Sequence, residues 1–120
     1  MRTTSVIAAA LVAALSACTA SSSSTVTVAP APTPRTPNEV VIYEYKYVPA
    51  TLTVSRGTKV TWVNYDIAPH TATHRTYGDE PFDSGNLQVQ QLFSHIFKVP
   101  GTYDYICVLH QGMRGSVIVQ

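Results

Sequence analysis

Cys107, His110 and Met113 stand at three-residue intervals in the stretch "CVLHQGM", so a thiol, an imidazole and a thioether share one short segment. A straight strand turns residues of odd separation to opposite faces, so these three donors converge only where the chain bends. Gly112 supplies a residue without a Cβ for that bend. A fourth donor stands upstream: His70, in "NYDIAPHT", follows Pro69, whose ring stiffens the approach. Cys, two His and Met are the donors of a copper site with two imidazoles and a thiolate near one plane and a long, weak thioether above it. Thiolate and thioether suit Cu(I), imidazoles suit both oxidation states, and a geometry between the two preferences lets an electron move with little rearrangement. Zinc more often takes Cys and His alone, which leaves Met113 without a role.

A competing reading makes Cys107 a small core hydrophobe, the usual fate of a buried free thiol. That reading leaves the arrival of His110 and Met113 on the following turn unexplained. The chain has two cysteines, Cys18 and Cys107. With Cys18 assigned to a different role below, no internal disulfide is available, and a lone thiol in an exported protein needs protection. A metal-bound thiolate is deprotonated and shielded.

The elements that must hold these donors read as strands. "EVVIYEYKY" (39–47) is β-branched and aromatic, "ATLTV" (50–54) alternates, and "TKVTWVN" (58–64) alternates with Val60 and Trp62 on one face. Further strands fit 70–76, 91–99, 101–107 and 115–120, with turn signals in "APH", "YGDEPFDSGN", "VPG" and "HQGMRG". No amphipathic helix stands out, and short strands at regular intervals predict an all-β Greek-key sandwich or barrel. Parity sets Tyr103, Tyr105 and Cys107 on one apolar face and Asp104 on the other, so the thiol belongs to the inner side of a core strand.

The ends of the chain differ from this domain. Residues 1–17 carry one positive charge, an apolar run from Val6 to Leu15 and then small residues, the pattern of a secretory signal too short for a permanent membrane span. "LSAC" (15–18) resembles the lipobox of bacterial lipoproteins, which implies lipidation of Cys18 as the first residue of the mature chain; an ordinary signal with Cys18 incidental is the other reading. Residues 18–37, rich in Ser, Thr, Pro and Ala, read as a tether that holds a domain clear of the headgroups, with a glycosylated stalk as the weaker alternative. The domain, 38–120, carries six basic against seven acidic side chains, a net of −1, with no basic stripe, so nucleic acid is not an expected partner.

At this point the chain resembles the small cupredoxins of the amicyanin and plastocyanin type. "YVPATLTVSRGTKVTWVN" is similar to the family's first hairpin, "APH" to its first copper-histidine motif, and "PGTYDYICVLHQGMRGSVIV" to its last strands and ligand loop. The C-x-x-H-x-x-M spacing is amicyanin-like, because plastocyanins place the methionine two residues further on. The resemblance spans nearly all of 39–120 and implies a cupredoxin fold with His70, Cys107, His110 and Met113 as ligands of one copper. Two positions depart from the family: Leu109 stands where Pro is frequent, and Thr71 where Asn is frequent.

His74 and His95 are not expected to be ligands. On a strand His74 would lie about 13 Å along from His70, and His95 shares parity with Phe93 and Phe97 as a satisfied core histidine. Four protein donors leave no open position for a substrate, so the expected function is a monomeric one-electron carrier rather than an enzyme, exchanging electrons with a redox protein donor and acceptor in the cell envelope. Copper binding for delivery is the alternative, and a metal-free adhesive sandwich the third reading. The resemblance implies that electrons leave through the outer edge of His110, within an apolar rim that Leu109, Met113, Ile67, Ala68 and Pro69 are expected to supply.

Overall fold

The computed structural model describes residues 19–74 and 80–120. The signal segment and Cys18 lie outside the described residues, as do 75–79, which include the end of the strand expected over 70–76. Eight strands follow in chain order among the described residues: β1 (Glu39–Tyr43), β2 (Lys46–Val48), β3 (Thr51–Val54), β4 (Lys59–Asn64), β5 (Thr73–His74), β6 (Leu92–Ile96), β7 (Gly101–Ile106) and β8 (Arg114–Val119). They form two sheets, ordered β2-β1-β4-β6 and β3-β8-β7-β5. From β2 to β7 each successive strand joins the opposite sheet, so β1 pairs parallel with β4 and β3 parallel with β8, while the other neighbours are antiparallel. The all-β sandwich expected from the sequence is the architecture found.

Alternation in sequence becomes a shared core. Val60 and Trp62 of β4 are fully buried, as are Tyr103, Tyr105 and Val117 of the opposite sheet, or nearly so. The Trp62 ring meets Phe82 at 5.3 Å, Tyr105 at 5.5 Å and Phe93 at 5.7 Å between centroids. At roughly 1.5–3 kcal/mol for each large apolar side chain fully removed from water, this cluster is a major source of the sandwich's cohesion. Gly115 on β8 sits opposite Tyr105. A Cβ there would lie 2.5 Å from the Tyr105 hydroxyl, so the missing side chain makes room for the ring.

Three local expectations change. The segment 39–47 is two strands, because Glu44 and Tyr45 form a two-residue hairpin turn at φ 50° and 60° between the paired Tyr43 and Lys46. The absence of Gly or Asn hid that turn, since bulky residues rarely occupy two positive-φ positions in a row. The strand expected over 70–76 shrinks to Thr73–His74 among the described residues; His70 instead makes an isolated bridge with Leu87, and Thr73 one with Asp83. The polar segment that reads as a long turn thereby runs beside the metal-donor segment and sends Phe82 and Leu87 into the core. His95 does face inward, its ring 4.8 Å from Phe97 and 5.2 Å from Phe82, but its Nε2 is buried without a hydrogen-bond partner, so it is not satisfied as expected.

The end of the Pro-rich tether touches this sandwich. The carbonyl of Thr36 accepts the Glu39 N–H, turning the chain, and the Arg35 guanidinium lies 5.7 Å from the centre of the Tyr65 ring.

Candidate metal centre

The loop after β4 delivers His70. Asn64, fully buried at the end of that strand, donates from Nδ2 to the carbonyls of Ala68 and Leu87 at 2.9 and 2.8 Å and accepts the Asp66 N–H at 2.9 Å. One side chain thus folds the turn that ends in Pro69. His70 then exchanges both backbone hydrogen bonds with Leu87, which fixes where its imidazole emerges. That imidazole is completely buried. Its Nε2–H donates to Oδ2 of Asp66 at 2.8 Å, leaving the Nδ1 lone pair facing Cys107 Sγ at 3.8 Å.

Cys107 follows β7 with the parity the sequence implies, buried behind Tyr103 and Tyr105. The loop from 107 to 113 closes on itself: the Cys107 N–H donates to the Met113 carbonyl at 3.0 Å, and the Met113 N–H donates to the His110 carbonyl at 3.3 Å. Gly112 takes φ 86° inside this turn, the conformation for which a residue without a Cβ is suited. His110 is half-buried, and its Nε2–H donates to the Pro69 carbonyl at 3.2 Å. Met113 is buried at the loop's end, packed in the same core cluster as Cys107.

The ligating atoms of His70, Cys107 and His110 lie within 4.8 Å of one another, the one such group of His, Cys or acidic side chains among the described residues. Each imidazole meets an acceptor at Nε2, the Asp66 carboxylate for His70 and the Pro69 carbonyl for His110, which fixes the tautomer with Nδ1 free. Two Nδ1 lone pairs, one thiol and a buried thioether fit a copper ion and not a structural zinc site. Burial holds the His70 imidazole below the ordinary histidine range, in spite of Asp66 beside it. Partial burial works to raise Asp66, but the N–H groups of Tyr45 and Glu44, with His70, bring its carboxyl below the ordinary value. The thiol also has a donor: the Thr71 N–H points to Sγ at 3.3 Å. Thr71 carries on the bracing, its hydroxyl accepting the Val108 N–H at 3.0 Å and its carbonyl accepting the Tyr47 hydroxyl. Burial, then the neighbouring Cys107, push the Tyr47 hydroxyl far above its ordinary range, so it remains a donor.

His74 stands outside this group, its Nδ1–H donating to the Asp104 carbonyl at 2.7 Å and its ring stacked on Phe82. Of the residues expected to form a rim, Ile67 and Leu109 are exposed and Ala68 and Pro69 half-buried, but Met113 is buried and does not belong to it. Sequence reasoning missed Asn64, Asp66, Tyr45 and Tyr47. Asp66 carried a signal, a carboxylate four residues before a candidate ligand histidine, whereas the others became visible only through the fold.

The sequence pattern of the family described as "Copper binding proteins, plastocyanin/azurin family" matches residues 36–120. The chain is 33% identical over 84 residues to amicyanin-alpha of Methylorubrum extorquens, covering 68% of this chain and 71% of that protein. Among solved structures it is similar to a purple cupredoxin from Nitrosopumilus maritimus, with a TM-score of 0.63 and 30% identity over 68% of this chain and 98% of the other. It also superposes on a copper-containing nitrite reductase from Thermus scotoductus with a TM-score of 0.67 and 28% identity, covering 78% of this chain but 25% of the reductase. The chain therefore belongs to the plastocyanin/azurin family of copper-binding proteins, as an amicyanin-like cupredoxin that takes one type 1 copper.

Proposed function

We propose that this protein carries single electrons between redox protein partners in the cell envelope, held to a membrane by lipid on Cys18, and that His70, Cys107, His110 and Met113 hold its copper. The observation that carries the reading is the bracing of the candidate donors by hydrogen bonds from the protein itself. His70 is pinned by Leu87 and Asp66, Cys107 by the Thr71 N–H, and Met113 by backbone bonds to both Cys107 and His110. Donors fixed by sheet-anchored segments keep one geometry in both oxidation states, so little energy goes into rearrangement when an electron arrives or leaves. The copper supplies a one-electron couple and, when oxidised, an intense thiolate charge-transfer colour.

The remaining residues supply access and exclusion. Met113 and Tyr47 are buried, Tyr47 with its hydroxyl on the Thr71 carbonyl, and keep bulk water from the inner side of the site. His110 is half-buried, while Ile67, on the loop that carries His70, is 91% exposed and Leu109, next to His110 in the chain, 44%. A small apolar rim of this kind suits brief docking, in which partners part as readily as they meet. The donors leave no position for a substrate, which supports a carrier rather than an enzyme.

The test is voltammetry and metal competition on the purified protein. A blue oxidised form, reversible cycling near neutral pH and slow loss of Cu(I) to a mild chelator are expected. A colourless Cu(II) complex would remove the type 1 assignment, and prompt surrender of Cu(I) would move the reading to copper delivery.

A further inference from the structure

The β1–β2 turn supplies no donor, yet it reaches the site. Glu44 and Tyr45 both hold positive φ, a conformation that non-glycine residues adopt only where their surroundings impose it. The turn is kept in this shape by Asp66, whose two carboxylate oxygens accept the Glu44 and Tyr45 N–H groups at 2.8 and 2.9 Å. The oxygen that takes the Tyr45 N–H is the one that receives Nε2–H of His70. One carboxylate therefore joins the turn to a metal-donor imidazole.

The product of this arrangement is the position of the Tyr45 ring. Its centroid lies 5.1 Å from that of His70 and 4.8 Å from that of His110, with interplanar angles of 85° and 71°. The two imidazoles are themselves 4.7 Å apart at 64°, so the three rings meet mutually edge to face. Burial does not explain the placement, because Tyr45 is 54% exposed. The His70 imidazole is fully buried and bonded to Asp66, with its backbone tied to Leu87, whereas the His110 imidazole is half-buried and bonded to the Pro69 carbonyl. Of the two imidazoles His110 has more freedom to turn, and the Tyr45 ring occupies space into which it would turn.

We propose that Tyr45 is a positioning residue of the copper site: its ring, held by the Asp66-capped turn, keeps the His110 imidazole against His70 and so slows release of the metal. The proposal rests on the ligand assignment above. Contact is made by the ring, so the hydroxyl is dispensable and Tyr45→Phe retains the function.

The experiment compares wild type with Tyr45→Phe, Tyr45→Ala and Tyr45→Leu in two measurements. In metal-free protein with labelled histidine, NMR relaxation of the His110 ring reports whether the imidazole is held. In copper-loaded protein, transfer of Cu(I) to an excess of a bathocuproine-type chelator reports release. Tyr45→Ala is expected to free the His110 ring and to release Cu(I) about 10-fold faster, with a changed ratio of the visible bands. Tyr45→Phe is expected to match wild type in every readout. Tyr45→Leu keeps apolar bulk at the turn, serves if the alanine variant does not fold, and is expected to fall on the alanine side. The proposal is overturned if the variants without a ring hold His110 and release copper as wild type does, or if Tyr45→Phe is as defective as Tyr45→Ala. Failure of wild type to bind copper would overturn the ligand assignment instead, while the metal-free measurement would still judge Tyr45.

Discussion

The backbone N–H of Thr71 donates to Sγ of Cys107 at 3.3 Å, joining two segments 36 residues apart in the chain. The Thr71 hydroxyl crosses the same gap in the opposite sense, accepting the N–H of Val108. Thr71 thereby braces the thiol and the next peptide together.

Removing that hydroxyl has a defined consequence. Thr71→Val keeps the shape but leaves the partly buried Val108 N–H without its acceptor, a loss of about 1–3 kcal/mol. Denaturant unfolding of the metal-free protein measures it, and Thr71→Ser should recover most of the difference. Equal stability of the valine variant and wild type would show that the hydroxyl bond carries no net weight.

His95 predicts an acid-sensitive stability. Burial first, with His74 adding a smaller like-charge contribution and Glu80 opposing both, holds its folded-state pKa below the ordinary histidine value. The unfolded chain therefore takes up a proton before the folded one does. Stability contributed by neutral His95 is complete above the ordinary histidine value of about 6.5 and is lost as pH falls below it toward the depressed folded value. Glu80 is held low by the Val99 and Lys98 N–H groups and the Tyr103 hydroxyl against the opposing effect of burial, so its own loss comes only at more acidic pH. His95→Phe removes an unpartnered buried nitrogen and should match or exceed wild type at pH 7.5, with a margin that widens at pH 5. Parallel pH–stability curves for the two proteins would refute this.

Gly115→Ala should destabilise by about 1–3 kcal/mol, because the new Cβ meets the buried Tyr105 ring and neither side can move far. Tyr105→Phe in the same chain is not expected to relieve it, since the ring carbon Cζ would still lie 2.6 Å away. Thermal unfolding of the single and double variants decides between ring and hydroxyl as the obstacle.

The anchor is tested separately from the copper. Cys18→Ser is expected to abolish lipidation and move the protein from the membrane to the soluble fraction, with the blue colour of the purified protein unchanged. A wild-type mature chain that starts elsewhere and carries no lipid would refute the anchor and leave the copper reading intact.

Residue type and spacing singled out the candidate donors. Cys107 faces the core by strand parity, and Gly112 permits the bend between His110 and Met113; both follow from local geometry, which a sequence encodes directly. The all-β class was legible for the same reason, since Val60 and Trp62 flank Thr61 in a β-branched run and no helical period competes. What only the tertiary structure decided is how distant segments meet. Glu44 and Tyr45 read as the middle of one strand, because the acceptor that holds their left-handed turn, Asp66, lies more than twenty residues away. Phe82 and Leu87 were lost in a stretch of turn residues, because isolated apolar anchors leave no periodicity and become core only when the segment lies against His70 and Thr73. The four candidate donors are written in the chain, and the side chains that hold them still are set by contacts between segments that sequence adjacency does not record.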